Sequence, residues 1–247
     1  MLLQLIDVCR YYQVGDTTIK ALDHVDFSVE AGEFVAVMGP SGSGKSTFLQ
    51  VASNLANPSS GKIILKGKDV AQYNEVEKAH LRNREIGFIF QQFNLLPKTS
   101  ALDNVALPLV YAGYDLSYQK KRATEMLAKV GLADRLHNTP AQLSGGQQQR
   151  VAIARALVND PVVIFADEPT GNLDSKSGEE IERILINLNK EGKTIIMVTH
   201  SPEAAKIAKR LVHFRDGHVL SDSKNTQEVP GTKISQALKK TRKGARK

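Results

Sequence analysis

Short apolar stretches alternate with polar turns over the first thirty residues, a pattern typical of β-strands. Leu2 to Val8 and Ile19 to Val29 are predicted to be antiparallel strands, joined by a turn at Gly15 and Asp16. Phe34 to Met38 is a continuous apolar run, which indicates a strand buried on both faces. Further predicted elements of this half are a helix over about Lys45–Asn57 and strands over Ile63–Leu65 and Ile86–Phe90.

The second half combines helical periodicity with further apolar runs. Ser100 to Val158 and Ser175 to Asn189 have helical spacing, whereas Val162 to Ala166 and Thr194 to Thr199 predict buried strands. A closing hairpin is predicted from Leu211–Phe214 and His218–Leu220 around Asp216-Gly217. The order strand, helix, strand favours parallel pairing, and so an α/β core into which the long helical stretch is inserted.

Composition is that of an ordinary soluble protein, with 247 residues, 41% hydrophobic and 24% charged. This length allows one domain, or one domain with a subdomain, around a sizeable core. We expect no membrane-spanning helix, which needs about 18 apolar residues, and no signal peptide. The single cysteine, Cys9, excludes an internal disulfide framework and a cysteine-based zinc cluster, and is predicted to be a small apolar core residue. A reducing cytoplasm is therefore expected.

The net charge of +7 comes from the C-terminal end of the chain. Residues 233–247 carry seven basic residues and no acidic one, so the preceding residues are electrically balanced. We predict a basic, disordered tail over residues 223–247, with attraction to anionic lipid as the sharper hypothesis. Nucleic acid is the weaker alternative, because the basic segment has no aromatic residue to stack on bases.

A glycine-rich segment follows the Phe34–Met38 strand and matches the phosphate-loop pattern GxxxxGK followed by Ser or Thr. Its glycines let backbone N–H groups converge on phosphate oxygens at the start of a helix, whose dipole favours anions. Lys45 is predicted to reach the β- and γ-phosphates, and Ser46 to ligate Mg²⁺. The predicted nucleotide-binding residues are Gly39, Pro40, Ser41, Gly42, Ser43, Gly44, Lys45, Ser46 and Thr47.

Two carboxylates follow the apolar run over Val162–Ala166. Asp167 is predicted to hold Mg²⁺ from the end of a strand that neighbours the phosphate-loop strand. Glu168 is the candidate general base, which would orient and polarise the attacking water. An apolar strand that ends in Asp-Glu is a weak signal alone, but behind a phosphate loop it indicates a nucleotide hydrolase.

A third motif, Leu143-Ser-Gly-Gly-Gln147, precedes these carboxylates. Ser144 is predicted to cap a helix that starts near Gln147, which leaves its hydroxyl and the glycine N–H groups available for an anion. The run Leu143–Leu157 and the run Asp167–Ser175 follow the phosphate loop in a fixed order, and the three motifs together resemble the nucleotide-binding subunits of ABC transporters.

This resemblance covers about residues 1–222 and implies the fold of that family: an α/β P-loop NTPase core, an antiparallel β subdomain and an α-helical subdomain inserted at about residues 92–158. It also implies ATP and Mg²⁺ as cofactors. A head-to-tail homodimer would sandwich two ATP molecules, because the signature residues Ser144, Gly145, Gly146 and Gln147 of one subunit close on the nucleotide of the other.

Further site residues are implied only by the resemblance. Tyr12 fits the aromatic residue that stacks on adenine, with Tyr11 as the competing candidate. Gln91 fits the loop glutamine that contacts Mg²⁺ and the lytic water, with Gln92 as its alternative. The two remaining implied residues are Asp174, which would touch the opposing subunit, and His200, which would contact the γ-phosphate.

The exact residues around the shared motifs favour one class of this family. Phe90–Pro97, Asp103–Pro108 and Gly171–Asp174 look most like the class of macrolide export, lipoprotein release and bacitracin resistance. The resemblance implies a subunit at the cytoplasmic face of the plasma membrane that drives a separate permease, with a periplasmic or extracellular adaptor as a further partner. Amino-acid importer subunits share these motifs, and a soluble regulatory ATPase acting on nucleic acid or ribosomes is the alternative from another class.

An apolar group in the loop after Gln91, formed by Phe93, Leu95 and Leu96, allows two interpretations. It could pack under the helical insertion, or it could line a groove for a short cytoplasmic helix of the permease.

Overall fold

A four-stranded antiparallel sheet contains the N-terminal hairpin of this computed structural model, which describes residues 1–225. The predicted hairpin is confirmed, with longer strands on both sides of Gly15-Asp16. The strand order is β2-β1-β4-β5. The four strands are β1 (Leu3–Val14), β2 (Thr17–Val29), β4 (Ser60–Leu65) and β5 (Lys68–Asp69).

The second sheet has six strands in the order β10-β9-β3-β8-β7-β6. These strands are β3 (Phe34–Met38), β6 (Ile86–Ile89), β7 (Val163–Asp167), β8 (Thr194–Val198), β9 (Arg210–Arg215) and β10 (His218–Lys224). All pairs are parallel except β9 with β10, so the predicted parallel α/β core is confirmed. One expectation was wrong: β7, which ends at Asp167, does not neighbour β3, because β8 lies between them. After β7 the chain forms a helix and then enters β8, which pairs with β7 on one side and with β3 on the other.

Seven α-helices and one 3₁₀ turn connect these strands within residues 1–225. They are α1 (Lys45–Ala52), α2 (Glu75–Glu85), α3 (Ala101–Tyr111), α4 (Leu116–Lys129), the 3₁₀ turn Pro140–Gln142, α5 (Gly145–Leu157), α6 (Ser175–Lys190) and α7 (Pro202–Ala205). Helices α3, α4 and α5 lie within residues 100–158, where helices were predicted, although residues 131–139 form turns and irregular structure. In this part of the chain, no helix has both the length and the apolar character needed to cross a membrane.

Strands β3, β7 and β8 of the six-stranded sheet are buried on both faces, as their continuous apolar runs predicted. Alternate residues of β3 point to opposite sides: Phe34 and Ala36 join the core under the helices, and Val35 and Val37 join the core between the two sheets. Helix α1 fills the space between the sheets, where the ring of Phe48 lies 5.0 Å from those of both Phe27 and Phe214. Burying such a side chain contributes about 1.5–3 kcal/mol, so the core fixes the start of α1 firmly.

Three boundaries differ from the sequence-based expectations. Helix α1 ends at Ala52, and not near Asn57, because Asn54 has a left-handed backbone with φ of 59°. The polar helix α2 was missed, although Asn74 and Glu77 form a capping box at its start. Strand β10 continues to Lys224, two residues beyond the expected domain end. The basic residues that were predicted to bind lipid lie outside the described residues.

Candidate active site

The phosphate loop connects the end of β3 to the first turn of α1. Gly44 precedes the helix with φ of 99°, and a Cβ atom there would lie 2.2 Å from the carbonyl oxygen of Ala21. Only glycine fits this position, because the backbone is left-handed and the four-stranded sheet approaches it closely. The loop therefore presents its backbone N–H groups at a helix N-terminus, where anions bind.

Lys45 lies inside this loop with only 8% of its surface exposed. Its Nζ donates hydrogen bonds to the carbonyl oxygens of Gly39 (2.8 Å) and Pro40 (2.7 Å). Burial lowers the pKa of Lys45, whereas the charges of Glu168 and Asp167 oppose that shift. The ammonium group thus lies at the inner end of the loop, near two carboxylates.

A cavity of about 780 Å³ opens beside the loop. It brings together residues of both sheets, the phosphate loop, the Asp167-Glu168 pair and the loops after β6 and β8: Ile19, Lys20, Ala21, Ser41, Gly42, Gly44, Lys45, Ser46, Thr47, Gln91, Asp167, Glu168, His200 and Asp216. The structure therefore gathers the candidate phosphate, metal and catalytic residues at the carboxyl ends of β3, β6, β7 and β8, where open parallel sheets bind ligands.

Asp167 ends strand β7 inside this cavity. Its burial, and then the charge of Glu168, raise the pKa of its carboxyl group, while Lys45 lowers it. A cation beside Asp167 would offset that unfavourable environment. The Asp167 carboxylate, the Ser46 hydroxyl and the Gln91 amide oxygen are hard oxygen donors, so these residues fit Mg²⁺.

Glu168 is held in a strained turn next to His200. Its φ is 46°, which is unusual for a residue with a side chain. Its N–H donates to the carbonyl oxygen of Val198 (2.9 Å), and its own carbonyl accepts from Gly171 (3.0 Å). The carboxylate lies 2.7 Å from Nδ1 of His200 at the end of β8. Strain of this kind is tolerated where the surrounding structure and a functional role require it.

Gln91 follows β6 and contacts a residue whose role we did not predict, Asn172. The Asn172 Nδ2 group donates to the carbonyl oxygen of Gln91 at 3.0 Å, and the Gln91 Nε2 group donates to Asn172 Oδ1 at 3.4 Å. Gly171 permits this approach, since a Cβ atom there would lie 3.0 Å from Gln91 Nε2. The loop after β6 and the loop after β7 are therefore linked side chain to backbone.

The signature segment begins helix α5 at Gly145, two residues before the expected start. Ser144 is the N-cap: its Oγ accepts from the Gln147 N–H (3.3 Å), and the Gln147 side chain accepts from the Ser144 N–H (2.9 Å). None of Ser144, Gly145, Gly146 and Gln147 lines the cavity beside the phosphate loop. The structure thus separates the signature from the phosphate loop of its own chain.

Asp174 caps the neighbouring helix α6. Its carboxylate accepts from the N–H (3.0 Å) and the Oγ (2.7 Å) of Ser177, and these bonds lower its pKa. Gly146 packs against this cap so closely that a Cβ atom would lie 2.8 Å from the Ser177 side chain. Ser144 and Asp174 are both exposed, so the caps of α5 and α6 are adjacent parts of one surface.

Gln149 is a buried polar residue that sequence reasoning missed. It lies on α5 with 0% exposure. Its Nε2 donates to the carbonyl oxygens of Pro169 (2.7 Å) and Phe90 (3.3 Å), the residues adjacent to Glu168 and Gln91. This side chain thus ties the signature helix to both catalytic loops. The sequence did contain a signal: Gln149 is a polar residue on a helix that faces the core, two residues after the LSGGQ motif.

Tyr11 and Tyr12 lie on opposite faces of β1. Tyr11 donates its hydroxyl to Asp23 Oδ1 at 2.6 Å. Tyr12 pairs across the hairpin with Ile19, which lines the cavity, and its ring is covered by the guanidinium of Arg10 at 4.6 Å. Tyr11 pairs in the same way with Lys20, which also lines the cavity, so the pairing does not separate the two candidates, and stacking on adenine by Tyr12 stays a prediction.

An apolar groove of about 630 Å³ lies between α2, β6 and α3. Phe88, Phe90 and Tyr111 are among its lining residues, and Tyr111 is 73% exposed. In the adjoining loop, Leu95 packs against the core under the helices, whereas Leu96 is 45% exposed. The core-packing interpretation therefore applies to Leu95, and Leu96 is available at the surface.

The comparisons with known proteins agree with this geometry. Residues 22–171 match the ABC transporter family. An ABC transporter ATP-binding protein of Thermotoga maritima is 51% identical over 217 residues, which cover 88% of this chain and 93% of that protein. The macrolide export ATP-binding/permease protein MacB of Hyphomonas neptunium is 50% identical over 226 residues, so the chain spans 35% of the length of that relative. A dimeric ATP-binding cassette in a post-hydrolysis state bound to ADP and Pi superposes with a TM-score of 0.84 at 43% identity, over 90% of this chain and 98% of that chain.

Proposed function

The chain belongs to the ABC transporter family, and we propose that it is the motor subunit that drives a separate membrane permease in export or mechanotransmission. As a member of that family it is an ATP-binding protein and an ATPase. The observation that carries the hydrolytic role is the pair of Glu168 and His200, 2.7 Å apart in the cavity that the phosphate loop lines.

The proposed chemistry follows from the positions of the side chains. The N–H groups of the loop and Lys45 bind the phosphates of ATP. Ser46, Asp167 and Gln91 supply the donors for Mg²⁺, which when bound neutralises charge on the phosphate oxygens. Glu168 orients and polarises a water molecule for attack on the γ-phosphorus, and His200 holds the Glu168 carboxylate in place while contacting the γ-phosphate.

Two copies would be needed for a complete site. The signature residues lie away from the phosphate loop of their own chain, with the N-terminus of α5 and the Asp174 cap exposed together. We propose that this surface closes on the ATP of a second copy in a head-to-tail dimer, and that hydrolysis releases it. The solved cassette named above is a dimer, which supports this arrangement.

The permease is proposed to contact the apolar groove beside the loop after Gln91. An amphipathic helix could bury the exposed Tyr111 and Leu96 there, at a surface that also contains Phe90, the residue before Gln91. Relatives named for macrolide export support the export class. An extracytoplasmic adaptor, a location at the inner face of the plasma membrane and lipid contact by residues 233–247 belong to the same proposal.

A tagged pull-down from detergent-solubilised membranes tests this function. We expect a stoichiometric integral membrane protein with about four spanning helices, identified by mass spectrometry. Recovery of ribosomes or nucleic acid without any membrane protein would overturn the proposal in favour of a soluble regulatory ATPase. Recovery of an importer permease would correct the direction of transport alone.

A further inference from the structure

Cys9, Asp23 and His24 lie together on the N-terminal hairpin, apart from the proposed hydrolytic residues. The Sγ atom of Cys9, a carboxylate oxygen of Asp23 and an imidazole nitrogen of His24 all lie within 4.8 Å of one another. Cys9 is 1% exposed, Asp23 is 9% exposed, and the ring of His24 closes the cluster towards solvent. The three side chains thus place sulfur, oxygen and nitrogen donors around one point.

The ring of His24 is oriented as in many metal-binding histidines. Asp7 lies 2.6 Å from Nδ1, and Asp23 Oδ1 lies 3.8 Å from Nε2. An Nδ1–H that donates to Asp7 leaves the Nε2 lone pair directed at the cluster. Carboxylates in this outer position fix the tautomer and the orientation of ligating histidines.

The backbone of the hairpin holds these positions. Asp7 and His24 both have left-handed backbones with φ of 52°, at irregularities in the pairing of β1 with β2. The His24 N–H donates to the Cys9 Sγ atom at 3.3 Å. The irregular pairing therefore brings Cys9 and His24 to the same point, which regular alternation along the strands would not dictate.

We propose that Cys9, Asp23 and His24 bind a thiophilic divalent cation such as Zn²⁺, with water as the fourth ligand. Zn–N and Zn–O bonds are about 2.1 Å and Zn–S bonds about 2.3 Å, so donors on a tetrahedral ion lie about 3.4–3.6 Å apart when only one of them is sulfur. His24 Nε2 lies 3.8 Å from Asp23 Oδ1, and the three donors lie within 4.8 Å of one another, so they must close by about 0.4–1.4 Å on a cation, which the exposed ring of His24 permits.

Three neighbours compete with a cation for Asp23: Tyr11, Lys20 and His218, whose Nε2 lies 3.7 Å from Oδ2. Tyr11 donates to Oδ1 at 2.6 Å, a contact that can persist because a carboxylate oxygen has two lone pairs. Lys20 lies 3.1 Å from Oδ2 and must move when a cation binds, which its half-exposed side chain permits. Loss of the Lys20 charge should therefore increase the affinity of the cluster for a cation. If the cluster is only structural, the same change should produce no increase in cation affinity.

Titration of the full-length, nucleotide-free protein with Co²⁺ tests the site. Because Cys9 is the single cysteine, a thiolate-to-Co²⁺ charge-transfer band reports on Cys9 alone, and Co²⁺ at the proposed Mg²⁺ site does not contribute to it. We expect this band in the wild type, its displacement by Zn²⁺, and its loss in Cys9→Ser. Asp7→Asn should weaken binding about 10–100-fold, and Lys20→Gln should tighten it.

Matched variants separate binding from folding. His24→Asn should fold, since Asn tolerates a left-handed backbone, and should lose at least the same affinity as Asp7→Asn. His137→Asn changes an exposed histidine elsewhere and should leave the band unchanged. Absence of the band in the wild type would overturn the site. A band as strong as that of the wild type in both His24→Asn and Asp7→Asn, with native circular dichroism, would also overturn it.

Discussion

Nδ1 of His200 lies 2.7 Å from the carboxylate of Glu168, although the two residues are 32 positions apart. They meet because β7 and β8 are parallel neighbours whose carboxyl ends face the same cavity. The candidate base is therefore held by His200, the residue that we propose also contacts the γ-phosphate. In that proposal, the orientation of the base depends on the nucleotide.

Glu168→Gln should remove the base and preserve ATP binding. We expect kcat to fall by about 10²–10⁴, measured by phosphate release, while ATP produces a stable dimer in analytical ultracentrifugation. Glu203→Gln, at an exposed position on α7, should behave as the wild type. A Glu168→Gln protein that stays monomeric at saturating ATP and still turns over would contradict the assignment.

Lys45→Ala should lose ATP binding, because no other ammonium group lies inside the phosphate loop among the described residues. Equilibrium binding of a fluorescent ATP analogue measures this loss, and we expect affinity to fall by at least about tenfold. Wild-type affinity in this variant would show that the loop does not bind the phosphates.

Gln149→Met should reduce kcat about tenfold with little change in the KM for ATP, because both catalytic loops lose a buried anchor. The unpaired carbonyl oxygens should also lower the free energy of unfolding by about 1–3 kcal/mol. Asn189→Ala is the matched control: its buried amide also donates to two carbonyl oxygens, those of Gly32 and Lys193, but away from the site. Equal kcat values in the two variants would make the role of Gln149 purely structural.

Asp167→Asn should stabilise the nucleotide-free protein while abolishing Mg²⁺-dependent hydrolysis. The folded pKa of Asp167 is raised, so its contribution to stability is full below the unfolded pKa and is lost as the pH rises through the folded pKa. The ionised carboxylate is therefore unfavourable at neutral pH. We expect Tm to rise at pH 7.5, and to rise by less near pH 4. Asp134→Asn, an exposed control, should show no such pH-dependent gain.

Leu96→Glu should uncouple the ATPase from its permease and leave basal hydrolysis intact, because Leu96 is exposed in the loop after Gln91, two residues after Asn94, which lines the apolar groove. Leu116→Glu introduces the same charge at an exposed position at the start of α4, outside that loop, and should remain coupled. Permease-stimulated ATPase activity in proteoliposomes distinguishes them. The substitution Leu95→Glu is unsuitable, since Leu95 packs against the core and a buried charge would destabilise the fold.

Local motifs made much of this site predictable. Three motifs of the site are each a continuous segment of the sequence: the phosphate loop, the signature and the Asp167-Glu168 pair. Each has residue types that its backbone geometry requires. The alternation of β3 between two cores likewise follows from a continuous apolar run. These features depend on residues that are close in the chain.

The features that sequence reasoning missed depend on contacts between distant segments. The position of β8 between β3 and β7 is set by the path of the connections, which periodicity does not encode. Gln149 meets Phe90 and Pro169 from another element. The cluster of Cys9 with His24 arises from irregular strand pairing, which the alternation of the residues does not reveal.

The link that Gln149 makes has a consequence for timing between two copies. Helix α5 presents Ser144 at one end and holds the loops beside Glu168 and Gln91 through Gln149 further along. In the proposed dimer, Ser144 at the start of α5 contacts the ATP of the second copy. Because α5 also holds the catalytic loops of its own copy through Gln149, that contact would change the position of these loops. Hydrolysis at one site would then depend on ATP at the other, so the dependence of the hydrolysis rate on ATP concentration should have a Hill coefficient above one.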